Sequence, residues 1–319
     1  MKLIAFNLAP LTPLTSHSMK QKPSRVLIVG YGEMGHAMEH LLEEKHQLAI
    51  YDCRPIEGLP SINVEQQAAL ADFLLLCVPA SPHHDLLARL APHLQSHCIC
   101  LSIAKGLDDN GQTPAQIYEQ IFNGQQPYCL LYGPMISEEI RADRYSFAEL
   151  GCSDVSIFHR VQDLYQDTML YIKHSTDIPG ISWSVILKNV YAIAFGMADE
   201  LQLGDNMRGF LAVTALAELS SIVKQMGGKP AAALHLAGLG DLITTATSAG
   251  SHHHELGRKL ARGETGDISG EGIHTLKMVE KYRLCHTAPY PLYGLIHDVV
   301  QEPIDVAQRF REYLVCVQR

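Results

Sequence analysis

Lys188 is followed directly by Asn189, and Asp241 arrives later in the run Ala237-Gly238-Leu239-Gly240-Asp241-Leu242. A lysine, an amide and a carboxylate are the parts of a proton-transfer site. The ammonium can protonate or polarise a carbonyl oxygen during hydride transfer, the amide can hold substrate or neighbouring backbone, and the carboxylate can orient the ammonium. Ile186, Leu187, Val190 and Tyr191 flank Lys188, so partial desolvation is expected to lower its pKa. Lys105 follows the apolar run Cys98–Ile103, where it would point into the crevice in which open α/β sheets bind ligands. A lone lysine in apolar surroundings is more often a snorkelling surface residue. The reading therefore depends on elements that bring these groups together. It expects Lys188-Asn189 near a helix start and Asp241 on a glycine-rich turn.

The first half of the chain supplies a frame. Val26–Val29 is a short apolar run, as in a strand buried on both faces of a parallel sheet. Leu48–Tyr51, Phe73–Val78, Cys98–Ile103 and Cys129–Tyr132 read the same way, ending at Asp52, Pro79, Lys105-Gly106 and Gly133-Pro134. Helical patterns such as His84–Leu94 and Pro114–Phe122 separate them, and this alternation implies a doubly wound, mostly parallel sheet of Rossmann type. After about Asp177 the strand-like runs stop. Leu211, Ala215, Leu219, Ile222, Val223 and Met226 mark one face of a helix ending at Gly227-Gly228. The expected division is a flexible extension over 1–18, with Met19 an alternative start, a dinucleotide-binding domain over 19–177, and an all-helical substrate domain over 178–319.

Gly30-Tyr31-Gly32-Glu33-Met34-Gly35 lies between the first strand and the first helix, and Asp52 ends the next strand. That context gives the glycine pattern its meaning. Gly30 permits the tight turn, Gly32 lets backbone approach a pyrophosphate, and Gly35 allows helix and strand to pack closely. The helix N-terminus adds unpaired N–H groups and a favourable dipole. Asp52 is placed to accept hydrogen bonds from the adenosine ribose, which favours NAD over NADP; Arg54 softens that preference.

Composition narrows the alternatives. With 34 acidic and 25 basic residues, the net charge of −9 argues against nucleic acid as the main partner. Eight scattered cysteines form no Cys-x-x-Cys pair, which suits a reduced, cytoplasmic setting. No apolar run approaches the roughly 20 residues of a membrane span, and the first 18 residues make a poor secretory signal. The histidines at 252, 253 and 254 diverge in direction on a loop or helix and lack a partner at ligand spacing, so no metal site is expected. Their bland reading is a solvated loop end.

Over about Val26 to Val279 the chain resembles the NAD(P)-dependent glycerol-3-phosphate dehydrogenases. The ordered blocks are the Gly30–Gly35 turn, Ala71-Asp72, Val78-Pro79, Ala104-Lys105-Gly106-Leu107, Gly133-Pro134, Glu138-Glu139-Ile140, Leu187-Lys188-Asn189-Val190, Leu203-Gly204-Asp205-Asn206, Leu216-Ala217-Glu218-Leu219, Ala237–Leu242 and Thr245-x-Thr247-Ser248. The resemblance implies interconversion of dihydroxyacetone phosphate and glycerol 3-phosphate, and a homodimer. It implies that Lys188 exchanges the proton with the substrate C2 oxygen, that Lys105 is a second substrate-contacting lysine, and that Asp241 completes the cluster. It places Gly133, Asn189, Thr245, Ser251, His252 and His253 at the substrate, and Pro79, Lys105, Ser137 and Glu271 at the cofactor. The family typically has Ser-Arg-Asn-Arg or Gly-Arg-Asn-Arg where this chain has Ser251-His252-His253-His254. Histidine is a weaker grip on phosphate than arginine, which is always charged and binds bidentately. Met135 also replaces a polar residue, and Ser184-Val185 replace two glycines where added side chains would crowd the nicotinamide. Two other functions fit these departures: a related dehydrogenase for a substrate with less phosphate character, and a non-catalytic NAD(H)-binding sensor.

Overall fold

The computed structural model of the chain describes residues 22–318 apart from 249 and 267. The expected extension over 1–18 and the alternative start at Met19 lie outside the described residues. Seven strands form one sheet: β1 (Arg25–Val29), β2 (Gln47–Tyr51), β3 (Phe73–Leu76), β4 (Ile99–Ser102), β5 (Tyr128–Tyr132), β6 (Ser146–Gly151) and β7 (Leu170–Ser175). Their order is β2-β1-β3-β4-β5-β6-β7. All neighbouring pairs are parallel except β5 with β6. Helices α1 (Glu33–Leu42), α2 (Val64–Ala68), α3 (His83–Leu90), α4 (Pro114–Phe122), α5 (Ser137–Arg141) and α6 (Val155–Leu164) fill the connections.

The last two strands went unrecognised for a physical reason. β1, β3 and β4 are buried on both faces and read as continuous apolar runs. β6 carries Glu149 in its interior, and β7 at the sheet edge exposes Tyr171 to solvent. Neither has the uninterrupted apolar signature. Burial of both faces also makes two cores. Val26, Ile28, Leu75 and Leu101 face one side, while Leu27, Val29, Leu74 and Leu76 face the other, in a core continuous with the helical half.

The second half is helical. α7 (Ile178–Glu200) is followed by α8 (Gly204–Gln225), α9 (Asp241–Thr247), α10 (His252–Ala261), α11 (Glu271–Tyr282), α12 (Pro291–Gln301) and α13 (Val306–Val317). The sequence reading found no run long enough for a membrane span, yet α7 is long and apolar enough by length and composition. Its apolar window is entirely buried inside the protein, so it serves as the core helix of this half. Two glycines let α10 lie against it in backbone contact. A Cβ on Gly196 would meet the His254 carbonyl oxygen at 1.9 Å, and one on Gly257 would meet the Ile193 oxygen at 2.1 Å. A Cβ on Gly272 would likewise meet the Asn189 oxygen at 2.7 Å. The starts of α10 and α11 are thereby pressed onto the segment bearing Lys188 and Asn189.

A buried carboxylate and a buried imidazole tie other parts together. Glu218 of α8 accepts the Tyr191 hydroxyl at 3.0 Å and the Leu292 and Tyr293 amides at 2.7 and 2.9 Å, joining α7, α8 and α12. His83 bridges the Pro79 carbonyl (2.9 Å) and the Ser102 hydroxyl (2.8 Å), linking the segments that leave β3 and β4. Burial pushes the His83 imidazole down to about 4. Folded protein keeps it neutral where unfolded chain takes up a proton near pH 6.5. Its contribution to stability is thus complete above about pH 6.5 and declines as the pH falls toward 4, by about 3 kcal/mol in all. Urea unfolding at pH 7, 6 and 5 should show a shallower acid-side loss for His83→Gln than for the natural chain. Equal slopes would place the acid sensitivity on other groups.

Candidate active site

Gly30 has φ +97°, and a Cβ there would meet Val78 at 2.6 Å. A Cβ on Gly35 would strike the Gly30 carbonyl oxygen at 2.2 Å. Gly32 differs: it is exposed, and a Cβ would meet nothing within 4 Å. No described residue fills the space over Gly32. Gly32 also caps α1 without a side-chain hydrogen bond, leaving first-turn amides for an outside acceptor. These features fit a dinucleotide pyrophosphate.

Around the turn, the Glu33 carboxylate pairs with Arg141 of α5 at 2.8 Å and accepts the Ser137 hydroxyl at 3.2 Å. The Tyr31 hydroxyl bonds Glu39, and Met34 packs on the core beneath the sheet. Asp52 Oδ2 accepts the Tyr31 amide at 2.8 Å and Oδ1 accepts the Arg54 amide at 3.0 Å, with the Arg54 guanidinium 3.6 Å away. Burial acts to raise the Asp52 pKa, but these amides and Arg54 hold it below the usual carboxylate value. Asp52 braces the glycine turn and borders a cleft of about 340 Å³ over residues 50–62.

The groups proposed for proton transfer converge from three segments: the stretch after β4, α7 and α9. Lys105 Nζ lies 2.8 Å from Asp241 Oδ2, and Lys188 Nζ lies 3.1 Å from the same oxygen. Lys105 also donates to the Gly133 carbonyl at 2.9 Å. Lys188 donates to the Thr245 hydroxyl at 2.7 Å, which donates in turn to the Asp241 carbonyl at 2.7 Å. Asn189 Nδ2 donates to the Lys105 carbonyl (3.0 Å) and to Glu271 (3.2 Å), while its buried Oδ1 has no partner.

Two local expectations are corrected. Lys188 does not stand at a helix start: α7 begins ten residues earlier at Ile178, capped by Asp177. Buried apolar residues continue past it on both sides, which masks the true start. Asp241 does not sit on an open turn either. Leu236–Gly240 form one turn of π-helix and Asp241 opens α9. Such a bulge sets the angle at which the carboxylate enters the site, and π-turns recur at functional positions.

The electrostatics follow from burial. Lys188 and Asp241 are 5% and 3% exposed. Burial lowers the Lys188 pKa, with Asp241 opposing and Lys105 reinforcing the change. Burial would raise Asp241, but the two ammonium groups together hold it below its ordinary value. Burial raises Glu271, against the pull of Lys188 and Lys105. A desolvated ammonium beside a firmly ionised carboxylate can lend a proton and recover it.

The histidine run is not a solvated loop end. Ser251 caps α10 by accepting the His254 amide, and the three histidines form the first turn. His254 pairs with Asp199 of α7 at 2.7 Å, and both side chains are largely buried. His252 donates from Nε2 to the Ser269 carbonyl at 2.9 Å. His253 turns inward, its buried Nδ1 without a partner among the described residues. Among the described residues no group of three or more His, Cys, Asp or Glu side chains gathers as metal ligands.

The cluster borders a cleft of about 220 Å³ that also meets Ser248, Ser251, His253, Thr244 and Met135. A second cleft of about 380 Å³, reached by Pro79, Ala80, Gly106, Ser269 and Gly270, shares Glu271 with the first. Met135 is packed in the core and presents a nonpolar wall. Ser184 and Val185 do not crowd either cleft: both are buried in α7, and Ser184 donates to the Gly180 carbonyl. Sequence reasoning missed Glu149. This buried β6 carboxylate accepts the Ala237 amide at 3.0 Å, within the π-turn that delivers Asp241. A single acid inside the run Phe147–Leu150 was the available signal.

Known proteins match the chain in sequence and in fold. Residues 59–157 match the family described as NAD-dependent glycerol-3-phosphate dehydrogenase N-terminus, and residues 177–311 match its C-terminus. The chain is 31% identical over 263 residues to glycerol-3-phosphate dehydrogenase [NAD(P)+] of Deinococcus radiodurans, covering 82% of this chain and 78% of that protein. The chain belongs to the NAD-dependent glycerol-3-phosphate dehydrogenase family. The protein of the same name from Nitratidesulfovibrio vulgaris is 28% identical over 320 residues, covering 89% of this chain and 97% of its own. The crystal structure of glycerol-3-phosphate dehydrogenase from Coxiella burnetii shares the fold, with TM-score 0.81 at 22% identity, covering 92% of this chain and 99% of that one.

Within that family fold, the glycine turn offers a direct test. Gly32→Val should leave the unfolding midpoint nearly unchanged, because no atom of the described residues lies within 4 Å of an added Cβ. It should weaken NADH binding, read by fluorescence titration, at least tenfold. Gly35→Ala should instead lower stability, since its Cβ meets backbone. Full NADH affinity in Gly32→Val would place the dinucleotide elsewhere.

Proposed function

We propose that this chain is an NAD(P)-dependent oxidoreductase that interconverts dihydroxyacetone phosphate and sn-glycerol 3-phosphate. The observation that carries the reading is the buried Lys188 ammonium, held between the Thr245 hydroxyl and the Asp241 oxygen it shares with Lys105. In this reading residues 19–177 hold the dinucleotide and residues 178–319 provide most of the substrate site. The glycine turn Gly30–Gly35 would hold the dinucleotide pyrophosphate, and the bound cofactor would supply or accept the hydride at the substrate C2. Lys188 gives a proton to the developing C2 alkoxide, or removes it in the reverse direction. Lys105 adds positive charge from the opposite segment, and Asp241 keeps both ammonium groups aimed and charged. Asn189 ties the Lys105 backbone to Glu271 where the two clefts meet.

Asp52 supports NAD, and the exposed Arg54 beside it supports tolerance of a 2′-phosphate, so NAD with NADP as a second cofactor is the proposal. A cytoplasmic homodimer is proposed from the family resemblance and from eight free cysteines. A dehydrogenase for a phosphate-free substrate is the second reading. It is favoured by one observation: His252, at the family's arginine position, is turned onto the Ser269 carbonyl.

NADH oxidation with dihydroxyacetone phosphate, run beside dihydroxyacetone, tests the assignment. Turnover should require the phosphate, and Lys188→Ala should lower kcat by about 10²–10⁴. Ketone reduction needs protonated Lys188, so its rate should fall as pH rises through the lowered lysine pKa, while alcohol oxidation rises. Equal turnover of both ketones would favour the second reading. No turnover of either ketone despite NADH binding would sink the first reading and move the search to other carbonyl substrates.

A further inference from the structure

The substrate cleft ends in the first turn of α10, and that turn is built from a cap and a histidine rather than from a permanent cation. Ser251 Oγ is committed to the His254 amide, and the His252 and His253 amides have no backbone partner among the described residues. His253 lines the cleft beside Ser248 and Ser251, and its Nδ1 is sealed from solvent with no hydrogen-bond partner among the described residues. A buried ring nitrogen without a partner is costly to leave unsatisfied, and it sits at the positive end of a ten-residue helix.

The charges around His253 come from every side. Lys188 faces it from α7, Asp241 from α9 and Lys105 from the segment after β4, while His252 is its neighbour on α10. Glu271 at the start of α11 borders the same cleft. Burial foremost, and then Lys188, push the His253 imidazole down to about 3. The ring is therefore neutral before ligand enters. Asp241, the anion that could support a second charge, is already shared by both lysines. An entering anion supplies the missing counter-charge.

We propose that anion binding in this cleft is coupled to proton uptake at His253, so the phosphate end of the substrate is gripped by an imidazolium formed on binding. One proton passes from solvent to the free ring nitrogen, and no other bond is made or broken. This rests on the substrate reading above. It departs from a grip by arginine in one respect: affinity for the anion falls as pH rises, because the proton must be taken from an ever scarcer supply.

Isothermal titration calorimetry of the NADH-saturated full-length protein reads this directly. Sulfate, which does not itself titrate near neutrality, and sn-glycerol 3-phosphate are the probes, each in two buffers of different ionisation enthalpy at pH 6.5 and 7.5. The expected result is a buffer-dependent heat equivalent to about 0.3 proton or more taken up at pH 6.5, with affinity weakening by up to about tenfold per pH unit. His253→Asn should abolish the uptake and flatten the pH dependence of KM for dihydroxyacetone phosphate, while His252→Asn should leave the uptake in place. Equal heats in both buffers, undiminished uptake in His253→Asn, or absence of sulfate binding would each overturn the coupling. Lysine-dependent, phosphate-requiring turnover with equal heats would remove the coupling alone. Absence of turnover with the uptake intact would remove the substrate reading alone.

Discussion

One carboxylate oxygen, Asp241 Oδ2, serves two ammonium groups in a nearly dry site. Much of the structure is arranged to make that tolerable. Taking charges out of water is expensive, and leaving one partner of a buried pair alone typically costs about 3–5 kcal/mol. The compensation is geometric. Lys105 has the Gly133 carbonyl as a second acceptor, and Lys188 has the Thr245 hydroxyl. Each ammonium therefore keeps a hydrogen bond independent of the carboxylate. The cluster remains net positive, which suits a site where an oxyanion develops during hydride transfer.

Holding three charges to such distances requires rigid supports, and each support is traceable. Lys105 leaves β4 beside Ser102, whose hydroxyl meets both the Ala104 amide and His83. Asp241 follows a π-turn in which Ala237 is pinned by Glu149 from the sheet. Lys188 lies in the middle of a helix buried on every side. The sheet thus fixes one lysine and, through Glu149, the angle of the carboxylate, while α7 fixes the other lysine. The reacting groups meet only when the sheet and the helical bundle are docked. The core that runs unbroken from the β1 and β3 side chains into α7 supplies that docking.

The sequence carried the chemistry better than the geometry. Lys105, Lys188, Asn189 and Asp241 were legible because polar groups stood out against apolar runs, and the glycine turn because it sat between a buried strand and a helix. The start of α7 was not legible, since residues buried all round erase the amphipathic period that marks a helix. β6 and β7 were missed because an edge position and an interior acid interrupt the apolar run. Glu149, His83 and Glu218 act through backbone groups far away in sequence, and no local pattern announces such a partner. The histidine turn was misjudged for the opposite reason. Three polar residues look solvated in sequence, whereas here the close approach of α10 to α7 carries two of them into the interior.

That approach also bears on the proposed anion end of the site, where His252 and His253 stand in place of the Arg-Asn pair that the family resemblance implies. The first turn of α10 is held by Gly196 and Gly257 at the helix crossing, by the Ser251 cap, and by the His254–Asp199 pair. None of these supports uses the side chains at 252 and 253. Those two positions can change chemistry without moving the helix, and they lie outside the hydrogen-bonded cluster around Asp241. At the reacting end the reverse holds: each side chain has at least two partners on other segments, so one change disturbs several supports. The division of labour within the fold therefore makes the proton-transfer end rigid in chemistry and leaves the substrate's distal end open to tuning.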